Sequence, residues 1–233
     1  MTTAIFLTTR INSTRLKNKV LIEINGQTVI EILINRLKKC KIPIIMCSTN
    51  ALNDSLFLKP IAARHGLAYH EAPAGNIIKQ HIDCAEKYGV DWIINVDGDD
   101  TLTCPEVINA VYHAINRNEH KIPIKTEGLP LGLNILAYPA EYLNKIDFKS
   151  DTGWGAQITK NSYYSIKFNY DLDLRLTLDY PEDLEVITDI LTNCKRNMTV
   201  GGVCTYLKKH SEIAKLNLWR NKEYWDRMEE LGK

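Results

Sequence analysis

DWIINVDGDD, residues 91–100, opens with a short, nearly unbroken apolar run and closes on an acidic turn. Residues 91–96 have strand length and little polar alternation, which fits a strand covered on both faces in a parallel sheet. The exit carries Asp97, Gly98, Asp99 and Asp100. If extended geometry persists through Gly98, Asp97 and Asp99 project to one side, roughly 7 Å apart, and Asp100 points away. Clustered carboxylates at a strand end suit a hard divalent cation such as magnesium, and they suit equally an acidic turn facing water.

Outward from this strand, apolar runs alternate with segments of helical period, the pattern of β-α-β units. Toward the N-terminus the spacing predicts a helix over 76–88, a short strand over 67–69 and a helix over 53–65. Before these come a strand over 42–47, an amphipathic helix over 28–39 with Thr28 as N-cap, and a strand over 3–8. Toward the C-terminus a helix over 105–117 has Pro105 in its first turn. Strand-like pieces follow at 122–126, 133–138, 163–168 and 174–178, then helices at 181–193 and in the last thirty residues. The expected fold is α/β, a Rossmann-like mixed and mostly parallel sheet flanked by helices, with a smaller strand-rich lobe. Without a repeat, a low-complexity stretch or a linker, one domain is expected. Its nucleotide-binding half would be about 1–118, its acceptor and dimer lobe about 119–175, and its closing helices about 176–233.

The 233 residues carry 29 Lys and Arg against 28 Asp and Glu, a net charge of +1. That balance argues against a general nucleic-acid coat or a polybasic membrane anchor, so any electrostatic function is local. Six cysteines without a CxxC pair read as free thiols and point to a reducing, cytoplasmic setting. No basic leader with an apolar run and no stretch of membrane-spanning length is apparent, so no membrane partner is expected.

Two further segments carry chemistry. RINSTRLKNK, residues 10–19, holds Arg10, Arg15, Lys17 and Lys19 with no acid, interleaved with Asn12, Ser13 and Thr14. Guanidinium forks, an ammonium and hydroxyls can grip a polyphosphate, although a solvated basic loop has the same composition. Neither GxxxxGK[ST] nor GxGxxG occurs, so phosphates would be held mainly by side chains. In RLTLDYPEDLE, residues 175–185, Leu174, Leu176 and Leu178 alternate before Asp179, which can cap the next helix or ligate a metal. Glu182, Asp183 and Glu185 complement that helix's dipole. The six histidines form no ligand pattern, and no Ser/His/Asp triad can be drawn. Trp219, Tyr224 and Trp225 fit a packed terminal helix or a subunit contact.

In their order these blocks resemble the cytidylyltransferase family of CMP-Kdo synthetases, acylneuraminate cytidylyltransferases and, closest in pattern, spore-coat SpsF-type polysaccharide proteins. Arg10, Ser13, Thr14, Arg15, Leu16 and Lys19 match the family's opening block. Gly98 and Asp99 match the central one, and residues 175–185 match the late one nearly letter for letter. The resemblance spans residues 3 to about 190 and implies a nucleotide-diphospho-sugar transferase-like fold. It implies transfer of CMP from CTP to an acceptor oxygen, with release of pyrophosphate, in cell-surface glycan biosynthesis. Arg10, Ser13, Arg15 and Lys19 would hold the triphosphate, with Arg10 and Lys19 stabilising the leaving group, while Asp99 and Asp179 would share Mg2+. The cytosine and ribose would lie near residues 7–9, 48–50 and Ala74, Gly75 and Asn76. Asp97 would orient or deprotonate the acceptor hydroxyl. A homodimer is a further expectation.

Three departures from the family pattern are visible. Lys17-Asn18 stands where Pro-Gly is usual, so the loop is expected to lose a rigid turn and gain a charge. Asp100-Thr101 replaces a frequent acid/Cys-Pro pair, and Asp97 occupies a commonly neutral position. They leave the acceptor open: an acidic sugar, a phosphate- or phosphonate-bearing molecule, or none in an inactive nucleotide-binding module. Asn134, Trp154 and Gln157 are expected acceptor contacts, from their place in the lobe and their polar or stacking capacity.

Overall fold

The computed structural model describes residues 1–117, 121–147, 150, 153–170, 173–194 and 198–230. Strand β1 (Thr3–Thr8) lies in the middle of the sheet and is buried almost throughout. Its alternate side chains serve two cores: Ile5 and Leu7 join one apolar cluster, Ala4 and Phe6 the other. A polar loop and a single 3-10 turn over Lys19–Leu21 lead into a hairpin of β2 (Glu23–Ile24) and β3 (Gln27–Thr28). Asn25 and Gly26 form its tip, both in the left-handed region at φ 53° and 78°. An Asn-Gly pair is the strongest short hairpin signal, yet two-residue strands leave no periodicity to announce them.

Helix α1 (Val29–Leu37) begins with a capping box. The Thr28 hydroxyl accepts from the Glu31 amide, and Glu31 in turn accepts from the Thr28 amide. The chain then alternates through β4 (Ile44–Thr49), α2 (Leu52–Arg64), β5 (Ala68–Ala72), α3 (Ile77–Tyr88), β6 (Trp92–Asp97) and α4 (Pro105–Ile115). The Asn76 side chain accepts from the Lys79 amide and caps α3. After β7 (Ile124–Glu127) and β8 (Leu136–Pro139) come the short helices α5 (Ala140–Leu143) and α6 (Trp154–Thr159), then β9 (Tyr164–Lys167). Helices α7 (Pro181–Asn193), α8 (Val200–Lys209), α9 (Ser211–Leu218) and α10 (Arg220–Glu230) finish the described chain.

The main sheet has seven strands in the order β5-β4-β1-β6-β8-β7-β9. Pairings β4–β5, β1–β4, β1–β6 and β7–β9 are parallel, and β8 alone opposes its neighbours β6 and β7. It is the mixed, mostly parallel, helix-flanked sheet expected from the β-α-β pattern. Residues 174–178 do not form the expected strand. They make one isolated bridge, Leu131 to Arg175, supported by Leu131 N–H to the Leu174 carbonyl and Leu176 N–H to the Leu131 carbonyl. The backbone then turns to another partner, because Leu178 N–H donates to the Asp99 carbonyl at 3.0 Å. Alternating leucines here mark a strap between the lobe and the end of β6.

Candidate active site

Ligands of open α/β sheets bind beyond the carboxyl ends of the parallel strands. A cavity of about 280 Å³ lies at that edge, walled by Thr8 at the end of β1, Thr9 after it, Thr49 of β4 and Asp97 of β6. Parallel register places Thr8 beside both Cys47 and Asp97, which brings the three strand ends level. The 10–19 loop supplies another wall through Arg10, Asn12, Ser13, Thr14, Arg15 and Lys19, and Val20, Ile77, Gln80, Gly98, Asp99 and Trp154 complete the lining. Gly98 is fixed by close approach: a Cβ there would lie 2.4 Å from Thr9 Oγ1 and 2.6 Å from Thr9 Cβ.

The basic loop and the acids meet directly. Lys19 Nζ donates to Asp99 Oδ2 at 2.5 Å and to Asp179 Oδ1 at 2.7 Å, with the lysine side chain only 8% exposed. Arg15 Nη2 reaches the same Asp179 oxygen at 2.5 Å. Burial opposes the charge on Lys19, but Asp99 and Asp179 outweigh it and raise the ammonium above its ordinary value. Burial likewise opposes ionisation of Asp179, and Lys19, Arg15 and Arg175 overcome it to hold that carboxyl below the usual range. Asn18, just before Lys19, has φ 53°. Asparagine tolerates the left-handed region better than other residues with a side chain, so the turn survives without the glycine.

The acids of the β6 exit form a tighter group than extended geometry predicts. Ligand oxygens of Asp97, Asp99 and Asp100 all lie within 4.8 Å of one another. Asp100 does not point away, because the chain turns at once: Asp100 N–H bonds the Asp97 carbonyl, and Thr103 closes on Asp100. Burial, then the neighbouring Asp99 charge, pushes the Asp97 carboxyl up to about 6. Burial with Asp99 and Asp97 also lifts Asp100 well above the ordinary value. One ammonium therefore does not balance this group, and three convergent carboxylates with that excess fit a divalent cation held by oxygen ligands. Behind the turn, the buried Arg36 of α1 braces the chain by donating to the Leu102, Thr103 and Met198 carbonyls.

Asp179 is not a helix cap. Tyr180 occupies that position, and the organiser of the late block is Asp183, fully buried. Its carboxylate accepts from Arg175 Nε at 2.8 Å and Nη2 at 3.1 Å, from the backbone N–H groups of Asp179 and Tyr180, and from Asn217 Nδ2. Arg175 also contacts Asp179 at 3.4 Å. Helix-dipole logic alone hides this role of Asp183. The available signal was an arginine eight residues upstream on an otherwise apolar segment.

Other expected contacts disperse. Trp154 lines the cavity, whereas Asn134 turns its amide to the Leu129 and Pro130 carbonyls and, like Gln157, is not part of the wall. Of the nucleoside candidates, Thr8, Thr9 and Thr49 line the space. Ala74, Gly75 and Asn76 do not; the following helix reaches it through Ile77 and Gln80. The six cysteines are free thiols. Among the described residues no helix is long and apolar enough to cross a membrane.

The sheet order and its helix layers make a nucleotide-diphospho-sugar transferase-like fold. A cytidylyltransferase from Leptospira borgpetersenii serovar Hardjo-bovis superposes with a TM-score of 0.83 at 20% identity, covering 92% of this chain and 97% of that one. CMP:2-keto-3-deoxy-manno-octonic acid synthetase, solved with CTP, superposes with a TM-score of 0.62 at 12% identity, covering 82% of this chain and 99% of that one. The family model for cytidylyltransferases matches residues 4–145, more than half of the sequence, and the chain belongs to that family. A curated relative, the uncharacterized protein MJ1063 of Methanocaldococcus jannaschii, is 26% identical over 137 residues. The match covers 58% of this chain and 56% of the relative, so the chain spans little more than half of that relative's length.

Proposed function

We propose that this protein is a magnesium-dependent cytidylyltransferase that couples CMP from CTP to a hydroxyl of an acidic sugar or related acceptor and releases pyrophosphate. One observation carries the reading: Lys19, Asp99 and Asp179, from three distant parts of the chain, converge in one ion cluster beside the basic loop. Membership of the family supports CTP as the donor. Supply of an activated sugar for cell-surface glycans, a cytoplasmic setting, one domain and a homodimer complete the proposal.

The acceptor oxygen attacks the α-phosphorus, forming one P–O bond as the bond to the α,β-bridging oxygen breaks in line. Arg10, Ser13, Arg15 and Lys19 hold the triphosphate and stabilise the charge gathering on the leaving pyrophosphate. Asp97 accepts the hydroxyl proton. Asp99 and Asp179, with Asp97 and Asp100 close by, are the residues that would hold Mg2+; bound there, the ion neutralises phosphate oxygens. As the triphosphate enters, Lys19 and Arg15 exchange carboxylate partners for phosphate oxygens. Asp99 and Asp179 would then be left to hold the cation, which would keep the charge of the cluster balanced.

A pyrophosphate-release screen of the four nucleoside triphosphates against sugar acids, sugar phosphates and phosphonates tests this reading. Release with CTP and a hydroxylated acid supports it. Absence of release across the whole panel contradicts it.

A further inference from the structure

Behind the cavity a file of buried polar side chains runs from β8 to Asp97. The Tyr138 hydroxyl lies 2.7 Å from His81 Nδ1, His81 Nε2 lies 2.9 Å from Thr8 Oγ1, and Thr8 Oγ1 lies 2.8 Å from Asn95 Oδ1. Asn95 Nδ2 then donates to Asp97 Oδ1 at 3.0 Å. His81 and Tyr138 are completely buried and Asn95 is 6% exposed. Burying such a row of polar groups is costly unless every donor meets an acceptor.

The direction of the file is fixed at both ends. A carboxylate only accepts, so Asn95 must present Nδ2 to Asp97 and Oδ1 to Thr8. Thr8 then spends its hydroxyl proton on Asn95 and can only accept from His81, which requires the proton on Nε2. At the far end, His81 is the partner of the Tyr138 hydroxyl among the described residues, and the reverse direction would leave that O–H without an acceptor. Both constraints select one polarity, from Tyr138 through His81, Thr8 and Asn95 to Asp97. Aromatic packing locks the imidazole in place, with Phe6 and Trp154 edge-on at 5.4 and 5.5 Å. Trp154 also lines the cavity.

We infer that Tyr138, His81 and Thr8 form an oriented hydrogen-bond relay that fixes Asn95 and through it the Asp97 carboxylate, making them positioning residues for the acceptor hydroxyl. This assignment of purpose rests on the function proposed above; the polarity of the relay does not. The file contacts Asp97 alone among the proposed site acids, and its members lie behind the walls that would touch a triphosphate, apart from the backbone-proximal Thr8.

Nitrogen-15 NMR of the wild-type protein near neutral pH reads the tautomer directly. A protonated Nε2 and an unprotonated Nδ1 at His81 are expected, and Tyr138→Phe should keep that tautomer, because Thr8 still accepts from Nε2. With the acceptor that gives most pyrophosphate in the screen, Thr8→Val should lower kcat about tenfold. Thr8→Ser, which keeps the hydroxyl, should recover the rate. A proton on Nδ1 in the wild type overturns the relay whether or not the enzyme turns over and whether or not Thr8→Val folds. A Thr8→Val variant with wild-type kcat overturns its purpose, and a wild type inactive with every acceptor defeats the proposed function while the tautomer still decides the relay.

Discussion

Replacing Lys19 with methionine keeps the unbranched stem of the side chain, one atom shorter, and removes the charge that joins the two halves of the site. Its Nζ sits 2.5 and 2.7 Å from Asp99 and Asp179. At an effective dielectric constant of about 20, each contact amounts to about 6 kcal/mol of Coulomb attraction. Desolvation of the ammonium offsets much of that, and breaking a buried pair costs about 3–5 kcal/mol net. For a chain of this size one kcal/mol moves Tm by about 2–4 °C, so Lys19→Met should melt roughly 10 °C below the wild type. The variant also leaves Asp97, Asp99 and Asp100, within 4.8 Å of each other, without the lysine as counter-charge. At one Mg2+ concentration the variant should therefore bind the ion more tightly and gain more stability than the wild type, about 2.7 kcal/mol in all at a hundredfold excess over its own Kd. Thermal unfolding followed by circular dichroism, with MgCl2 or with EDTA, measures both effects. A variant as stable as the wild type and indifferent to Mg2+ would refute the view that Lys19 holds the carboxylates together.

Gly98→Ala forces a methyl to within 2.4 Å of Thr9 Oγ1; about 1–3 kcal/mol of stability and about 100-fold in kcat/KM should be lost, read by urea unfolding and pyrophosphate release. Arg175→Met strands the buried Asp183 carboxylate without its bidentate partner. A loss of about 3–5 kcal/mol in urea unfolding is expected, and an unchanged midpoint counts against the role given to Asp183. Burial pushes His81 down to about 3, so the folded protein keeps it neutral while an unfolded chain protonates it near 6.5. Between those values the unfolded state binds more protons, so stability falls with pH below 6.5, by about 3 kcal/mol at pH 4. Urea midpoints at neutral pH and at pH 4 should differ more for the wild type than for His81→Asn.

Much of the sheet was legible because its strands are apolar on both faces and its helices carry their own boundary signals. Thr3–Thr8 and Pro181–Asn193 fall where the spacing places them, and Thr28 and Asn76 cap the helices that follow. The basic loop and the acidic exit of β6 were legible as compositions, since charge of one sign without compensation needs a partner elsewhere. That they share one site was legible only through the family resemblance, and their direct ion pairs were not legible at all: Lys19 and Asp179 are 160 residues apart, and tertiary structure alone brings them to 2.7 Å. The β2–β3 hairpin escaped because it is too short for a period, and the 174–178 strap because alternation reports burial on one side without saying what the backbone pairs with. Asp183 and the buried file from Tyr138 to Asp97 escaped for a common reason. Buried polar residues are recognised by partners distant in sequence, and single-residue patterns carry no trace of those partners.

Pyrophosphate release from CTP by Asp99→Asn and Asp179→Asn, each checked for native circular dichroism, bears most directly on the claim that one basic loop and one carboxylate pair grip a single nucleotide tail. Both folded variants should lose at least about 1000-fold in kcat/KM against the wild type, as expected when charge stabilisation at the reacting phosphate is removed. Two folded variants that both retain wild-type turnover would contradict it.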